Sequence, residues 1–442
     1  MSLLNRMVAV EPDELRPMLW AALYNFLLLA AYFVIRPVRD EMGIAGGVRN
    51  LPWLFLGTLL GMLLVHPLFS ALVGRLPRSR FVPLSYGFFV VNLLVFWVLF
   101  LTLTAASGIW TGRVFFIWTS VFNLFVVSIF WSVMADLFRP EQAKRLFGFV
   151  AVGGTIGAAV GSGSTAFLAS RVTPTNLLLL SAALLGLAML AAHNLMRSSA
   201  LAEARREVPI ADAGAAVGGR ILDGVRAAFS SSYLIGIVGY MLLYTITSTF
   251  LYFQQAEIVD ASLADRGART VFFARIDLAV NSLTALIQIF LTGRIVRRIG
   301  VGLSLAALPL VSLLGFAALG VWPTLAVIAV VQVLRRTSNY AIARPCREML
   351  YTVVPRDVKY KAKNFIDTFV YRFGDQVGAW TSRALMLVGL GGALISGVAA
   401  PLAAVWLAVG LWLGRRQAVM ASVAPPRAPG IPDAPRTTPD PG

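Results

Sequence analysis

The chain has 442 residues, 58% of them apolar and 13% charged, with a mean hydropathy of +0.77; soluble domains run at about 45–50% apolar and about 25% charged. Apolar runs of about 20 residues recur from one end to the other, which excludes a cytosolic enzyme, a secreted disulfide scaffold and a disordered chain. The net charge of +17 would suggest nucleic acid in a soluble protein, but in a polytopic helical membrane protein it is the basic excess of cytoplasmic loops.

A polar segment with Glu11, Asp13 and Glu14 precedes the first apolar run, which begins near Pro17. That run is too long for a cleaved signal and no small-x-small site follows it, so it is expected to stay as a first helix. Uncharged stretches long enough for a hydrocarbon core of about 30 Å predict an all-α membrane protein of about twelve transmembrane helices. They fall at 17–36, 51–73, 82–104, 112–135, 147–169, 176–196, 231–254, 271–292, 301–320, 323–343, 364–386 and 391–414. Lipid forces backbone groups to pair within each segment, and the lack of period-2 alternation excludes a β-barrel.

Basic residues set the orientation. With a cytoplasmic N-terminus, the cytoplasmic segments hold 28 Lys and Arg against 8 on the other side, or 26 against 8 if Arg335 and Arg336 are assigned to the membrane. Both termini are therefore expected inside, in the inner membrane of a bacterium, with the lipid bilayer as the surrounding partner.

The chain reads as duplicated. Gly74-Arg75 with Arg78 and Arg80 is echoed by Gly293-Arg294 with Arg297 and Arg298; Met134, Pro140 and Lys144 by Met349, Pro355 and Lys359; Gly157 and Gly161 by Gly374 and Gly378. This predicts a six-helix half at 1–196, a cytoplasmic linker at 197–230 and a second six-helix half at 231–414, the major facilitator plan. The stretch 415–442, whose last part carries seven prolines from Pro425 on, is expected to be a disordered tail.

No residues recommend catalysis. Gly153, Gly157 and Gly161 resemble a phosphate loop only in composition: no Lys-Ser/Thr pair follows, and spacing of four on a helix suits close helix packing. The single Cys346 excludes an internal disulfide, and His66 and His193 form no zinc pattern; no enzyme activity, cofactor or metal is expected. With no Walker motif, transport would draw on a gradient or on exchange.

The ionisable residues inside the spans carry the functional signal. An Arg in mid-bilayer costs roughly 2.5–3.5 kcal/mol on insertion scales and so faces a cavity or a partner. The tenth span offers Arg335 and Arg336, followed by Asn339, Tyr340, Arg344 and Arg347; the eleventh offers Asp367, Arg372 and Asp375; the first ends in Arg36-Pro37-Val38-Arg39-Asp40-Glu41; the eighth carries Arg275 and Asp277. Arg372 and Asp375 are i,i+3 neighbours able to neutralise each other. Asn25, Asn92, Asn123 and Gln288 could line a cavity or bond between helices. Tyr24, Tyr32, Tyr244, Tyr340 and Tyr371 could stack on a flat ring or pack in the core. Guanidinium groups bind phosphate or carboxylate in two-point geometry, so a small anionic substrate is expected.

Two motifs resemble a known family. Phe130-Trp131-Ser132-Val133-Met134-Ala135-Asp136-Leu137-Phe138 followed by Glu141-Gln142-Ala143-Lys144-Arg145-Leu146-Phe147 is similar to the F-W-x-x-x-[N/D] and E-x-A-K-R-[F/L]-[Y/F] pattern of the plastid and intracellular-bacterial ATP/ADP translocases. Arg347-Glu348-Met349-Leu350-Tyr351, with Lys359, Lys361, Lys363, Ile366, Asp367, Arg372 and Gly374, is similar to their [K/R]-E-M-x-Y stretch and the lysine-rich run beyond it. The resemblance implies a major facilitator-like secondary transporter related to ATP/ADP antiporters, with a nucleotide as one candidate substrate. In helix seven, however, this chain has Ser248-Thr249-Phe250-Leu251-Tyr252 where the nucleotide carriers place a Glu before a Trp-Lys pair, so ATP/ADP exchange is not implied.

Alternating access would then hold a phosphorylated anion on Arg36, Arg335, Arg336, Asn339, Tyr340, Arg347 and Arg372. Asp136, Lys144, Arg145, Asp367, Asp375, Arg75 and Arg80 would serve gating or coupling. The rival is a proton-coupled exporter of a drug or metabolite, with Asp375 or Asp136 as the protonatable group.

Overall fold

The computed structural model describes residues 11, 14–75, 78–138, 140–204, 221–388 and 392–423. Residues 205–220 of the expected linker and 424–442 of the expected tail lie outside them. Among the described residues there is no strand. The chain forms twelve long helical rods: α1 (Leu15–Ala45), α2 (Leu51–Arg75), α3 (Arg78–Thr102), α4 (Ala105–Leu137), α5 (Pro140–Leu168), α6 (Leu177–Ala204), α7 (Ser232–Ser262), α8 (Arg266–Phe290), α9 (Thr292–Val321), α10 (325–350), α11 (356–387) and α12 (Gly392–Val423). Ten are long and apolar enough to cross a membrane. The other two, α10 and α11, hold Arg335 and Arg336, and Asp367, Arg372 and Asp375, and each contains a π-turn, Asn339–Ala343 and Ile366–Val370. The protein is a multi-pass membrane protein.

Most rods run beyond the expected spans, because a helix does not end where its apolar stretch ends. α1 continues through Pro37 to Ala45, carrying Arg36, Arg39, Asp40 and Glu41 on helix rather than on an exit loop. The stretch 415–423, expected as irregular tail, is the last turns of α12; its Ala, Val and Met residues favour helix, and no breaker comes before Pro425. Within the expected linker, 197–204 extends α6 and Ile221–Ala228 forms a short separate helix. α9 bends at Gly300, whose φ of 78° is a conformation that suits glycine.

Four apolar cores hold the rods together. One is built from α1 and the helices up to α6, around Tyr24, Tyr86, Phe115, Phe122 and Phe130. A second and third are built on α7 and later elements, around Tyr240 and Trp406 and around Phe250 and Phe316. A fourth joins the two sets at one end of the bundle: Ile44, Leu51, Leu54 and Phe116 pack with Phe253, Ala256, Val259, Phe273 and Ala379.

Backbone-to-backbone contact sets the tightest seam. Gly153, Gly157 and Gly161 lie against the carbonyl oxygens of Ala22, Phe26 and Ala30 on α1; a Cβ at Gly153 would sit 2.6 Å from the Ala22 oxygen, and Gly157 and Gly161 are tighter still. Gly374 and Gly378 press α11 onto Thr245, Ile246 and Thr249 of α7 in the same way. The sequence echo between these glycines thus has a counterpart in packing: α5 on α1, α11 on α7. At the other end of the α1–α5 seam, Glu14 accepts hydrogen bonds from Gln142 and Arg145, both at 2.9 Å. Burial pushes the Glu14 carboxyl up, but Gln142, the Glu11 backbone amide and the Arg145 charge outweigh it and hold the group below its ordinary value.

A methyl group at Gly157 has no room. Gly157→Ala is expected to destabilise the detergent-solubilised protein by roughly 1–3 kcal/mol. Gly186→Ala, where a Cβ meets nothing within 4 Å, should be neutral or slightly stabilising. Thermal unfolding of the two variants side by side checks this; equal effects would refute the seam.

Candidate functional site: a charged cavity between the helices

Three charged positions from separate parts of the chain meet at one depth. Arg36 lies about 13 Å from the Ala45 end of α1, and Asp277 and Arg336 each lie about 16 Å from the starts of α8 and α10, at 1.5 Å per residue. The helices α1, α8 and α10 cross there. Asp277, 3% exposed, receives both guanidiniums: Arg336 at 2.6 Å and Arg36 at 3.3 Å from the same Oδ1. Asp277 was visible in the sequence as a lone carboxylate in an apolar span, but its two partners come from α1 and α10 and only the fold reveals them. Its Oδ2 and the Nε atoms of Arg36 and Arg336 are buried without a hydrogen-bond partner among the described residues.

A cavity of about 240 Å³ opens beside this cluster, between α1, α2, α4, α7 and α11. Arg36, Arg39, Arg372 and Asp375 supply its charge. Thr58, Ser120, Asn123, Ser248, Thr249 and Gln376 supply neutral polar groups, and Tyr32, Tyr252 and Tyr371 supply aromatic faces. Arg39 is held by Asp40 through Nε at 3.0 Å, and Tyr252 donates to the same Asp40 oxygen at 3.1 Å. Arg372 and Asp375 do pair, at 3.5 Å, with Thr249 donating weakly to Asp375 at 3.4 Å. Asp375 is thus the loosest-held of the three carboxylates.

Arg335 stands apart from the cavity. It is 3% exposed and its guanidinium donates to Ser312 and Ser248 at 3.1 Å and to the Tyr244 carbonyl at 3.3 Å. Its neighbours are neutral oxygens, not a carboxylate. The Tyr244 ring lies under both Arg335 and Arg347, at 5.5 and 5.9 Å, and its hydroxyl accepts from Asn339 at 3.0 Å. The π-turn Asn339–Ala343 frees carbonyls that helices α8 and α9 then satisfy: Gln288 donates to Tyr340 O and Thr292 to Ala341 O. Of the expected substrate residues, Arg36 and Arg372 line the cavity, Arg336 reaches its edge through Asp277, and Arg335, Asn339, Tyr340 and Arg347 lie along α10, with Tyr244 of α7 against Arg335, Asn339 and Arg347.

The expected gating residues scatter. Asp375 is in the cavity. Asp367 is exposed on the π-turn of α11, facing the charges of Arg347 and Lys363. Asp136 and Arg80 are exposed at the end of the bundle that carries Leu15, and Arg145 there clamps Glu14. The side chains of Arg75 and Lys144 lie outside the described residues. The polar candidates divide too: Asn123 lines the cavity, whereas Asn25 donates to Val150 O and Asn92 to Phe88 O. Among the tyrosines, Tyr24 is spent on a hydroxyl contact with Tyr86 in the core.

Sequence reasoning missed a latch at the Ala45 end. Glu41, fully buried, is gripped in two-point fashion by Arg266 at 2.8 and 3.0 Å. Trp53 meets Trp380 edge-on, and Arg383 donates to the Arg49 carbonyl. These contacts join α1, α2 and their connection to α8 and α11.

This arrangement of rods recurs in solved structures. A bacterial homologue of the iron transporter ferroportin, in an inward-facing state, matches with a TM-score of 0.65 at 13% identity over 90% of this chain and 99% of that one. The chain has the major facilitator fold. The human organic anion transporter MFSD10 matches at 0.58 (14% identity, 91% and 100% covered) and the nucleoside transporter NupG at 0.55 (13%, 94% and 100%). In sequence the chain is similar to ADP,ATP carrier protein 1 of Chlamydia pneumoniae, 21% identical over 451 residues and 86% of each chain. No family model matches it.

In this major facilitator frame Asp277 is the hinge of the charge network. Asp277→Asn leaves two guanidiniums without their carboxylate and should cost about 3–5 kcal/mol of stability. Adding Arg336→Gln to it removes one of the stranded charges and is expected to recover part of that loss. Thermal unfolding of the single and double variants measures the coupling; strictly additive losses would show that the two groups act independently.

Proposed function

We propose that the protein is a secondary transporter that moves a small anionic, phosphorylated substrate across the membrane by alternating access, as an antiporter. The observation that carries this reading is the charge balance around the cavity. The guanidiniums of Arg36, Arg39, Arg336 and Arg372, together with that of Arg335 buried beside the cavity against neutral oxygens, stand against three carboxylates, Asp40, Asp277 and Asp375. The excess of two positive charges in a low-dielectric region favours a doubly charged anion. Phosphate esters have that charge and suit the two-point geometry of arginine. A volume of about 240 Å³ is at the small end for ligand sites and fits a compact anion in this conformation. Similarity to an ADP,ATP carrier and a shared fold with organic anion and nucleoside transporters support the same class. The hydroxyl-lined α7 wall, Ser248, Thr249 and Tyr252, argues for a substrate pair other than ATP and ADP.

In this reading 1–196 and 231–414 are two halves that rock about the cavity. The Glu41–Arg266 latch and the tryptophan pair hold one end shut. With both termini and the 197–230 linker in the cytoplasm, as the basic residues suggest, that shut end is the outer one, of a protein in the bacterial inner membrane. A reporter active only in the periplasm, fused within the linker, should be silent; a strong signal would reverse the orientation.

Asp375 favours a second reading. It is the carboxylate on the cavity wall and is held loosely, as a protonatable group in a proton-coupled exporter would be. One experiment separates the two: thermal-shift and radiolabel exchange with ATP, ADP, inorganic phosphate, sugar phosphates, dicarboxylates, and neutral and cationic drugs. A phosphorylated anion should stabilise the protein and exchange. Arg372→Gln, losing one charge-assisted contact, should weaken it roughly 10- to 150-fold. Stabilisation by cations alone would sink the anion reading and promote the exporter.

A further inference from the structure

The outward face of α8 carries a charge that the cavity does not use. Ala268, Val271, Phe272 and Arg275 follow i, i+3, i+4, i+7 spacing and line a crevice of about 780 Å³ on the bundle surface. The crevice lies between the α5–α6 connection, Ala169–Pro174, and the α7–α8 connection that precedes Arg266. Asp277 points the other way, so one helix serves the cavity with one face and the crevice with the other.

Arg275 is exposed in this crevice, about 13 Å along α8 from Arg266. It has no ion-pair or hydrogen-bond partner among the described residues. An exposed arginine on a helix long and apolar enough to cross a membrane is costly to leave without a counter-ion, and its long stem can reach toward the headgroups. Two more guanidiniums share the crevice. Arg171 stacks on the Phe167 ring at 3.8 Å, and Arg266, although bound to Glu41, keeps 60% of its side chain exposed. The acid there, Asp265, accepts the Ala268 backbone amide at 2.6 Å as the cap of α8. Val271, Phe272 and Leu325 supply apolar wall.

We propose that this crevice binds an anionic phospholipid, with Arg275 as the main phosphate contact, Arg171 and Arg266 flanking it and the acyl chains along Val271 and Phe272. Charge complementarity selects the occupant. Arg275 and Arg171, with Arg266 already paired to Glu41, around the engaged Asp265 carboxylate leave a positive surplus that favours a lipid whose headgroup carries net negative charge, whereas a zwitterionic headgroup would bring its own cation against it. The crevice straddles the α5–α6 connection and α8, which belong to different halves in the transporter reading, and it adjoins the Glu41–Arg266 latch. A bound lipid would tie the two together beside it. The site does not depend on which substrate the cavity takes.

The test uses purified full-length protein with phosphatidylglycerol, phosphatidylcholine or inorganic phosphate as probe. Native mass spectrometry reads retained lipid, and thermal unfolding reads stabilisation. The expected result is preferential retention of phosphatidylglycerol, with a rise in unfolding temperature that phosphatidylcholine and inorganic phosphate do not produce. Arg275→Gln should weaken retention about tenfold or more, Arg275→Lys should keep most of it, and Arg297→Gln at the far end of the bundle should leave it unchanged. Equal retention of the two lipids, undiminished retention by Arg275→Gln, or equal stabilisation by inorganic phosphate would each overturn the proposal. Substrate binding in the cavity is scored separately, so failure of one reading leaves the other open to its own test.

Discussion

A carboxylate that cannot be left alone in an apolar interior organises this molecule. Asp277 sits almost fully buried on α8 and is neutralised by arginines from α1 and α10 at one oxygen. Because the desolvation of each group is offset only when all three helices stand at the right depth, the cluster fixes how α1, α8 and α10 cross. The rest of the site depends on that crossing. Arg36 is turned to the cavity edge, Arg39 finds Asp40 one turn on, and α11 brings Arg372 and Asp375 to the opposite wall. With Arg335 beside it counted, two positive charges are left over, the basis of the anion reading proposed above.

Apolar packing and polar contacts divide the work. Glycine-to-carbonyl contacts let α5 lie directly on α1 and α11 on α7, where dispersion between close backbones replaces the hydrophobic drive that lipid does not provide. Besides the Arg36–Asp277 pair, contacts between α1, α2 or α4 and the helices from α7 on include a group at the Ala45 end: the Glu41–Arg266 pair, the Trp53–Trp380 contact and the shared apolar core. These are a few discrete side-chain contacts, whereas the glycine seams bring whole helix faces together. The molecule therefore keeps its backbone seams and these side-chain contacts in different places.

Fold class was legible from the chain because long uncharged runs and a basic bias are strong, local signals. The glycines at 153, 157 and 161 announced close packing through their spacing alone. The depth of Arg335, Arg336 and Arg372 was also plain, since charge inside a span stands out. What could not be read was which charge meets which. Arg372 and Asp375 were found because i,i+3 spacing is a property of one helix; Asp277 with Arg36 and Arg336 was not, because that pairing spans some three hundred residues of sequence. Arg335 shows the same limit from the other side: its sequence neighbour Arg336 meets a carboxylate while it meets hydroxyls, since adjacent helix positions point about 100° apart. Helix ends were misjudged wherever charge was taken as a boundary, as at Pro37 and at 415–423.

The π-turns in α10 and α11 have a geometric consequence for these two helices. Each accommodates one residue more than an α-helical turn would, so everything beyond Asn339–Ala343 or Ile366–Val370 is rotated by about 100° from the phase it would otherwise keep. Arg344 and Arg347 are thereby aimed relative to Arg335 and Arg336 by an extra residue, not by side-chain type. Length in these two segments is thus a form of information. Losing a single residue from 339–343 would regularise the backbone and leave every remaining side chain intact, yet it would swing the arm of α10 beyond Ala343, with its arginines, onto a different neighbour.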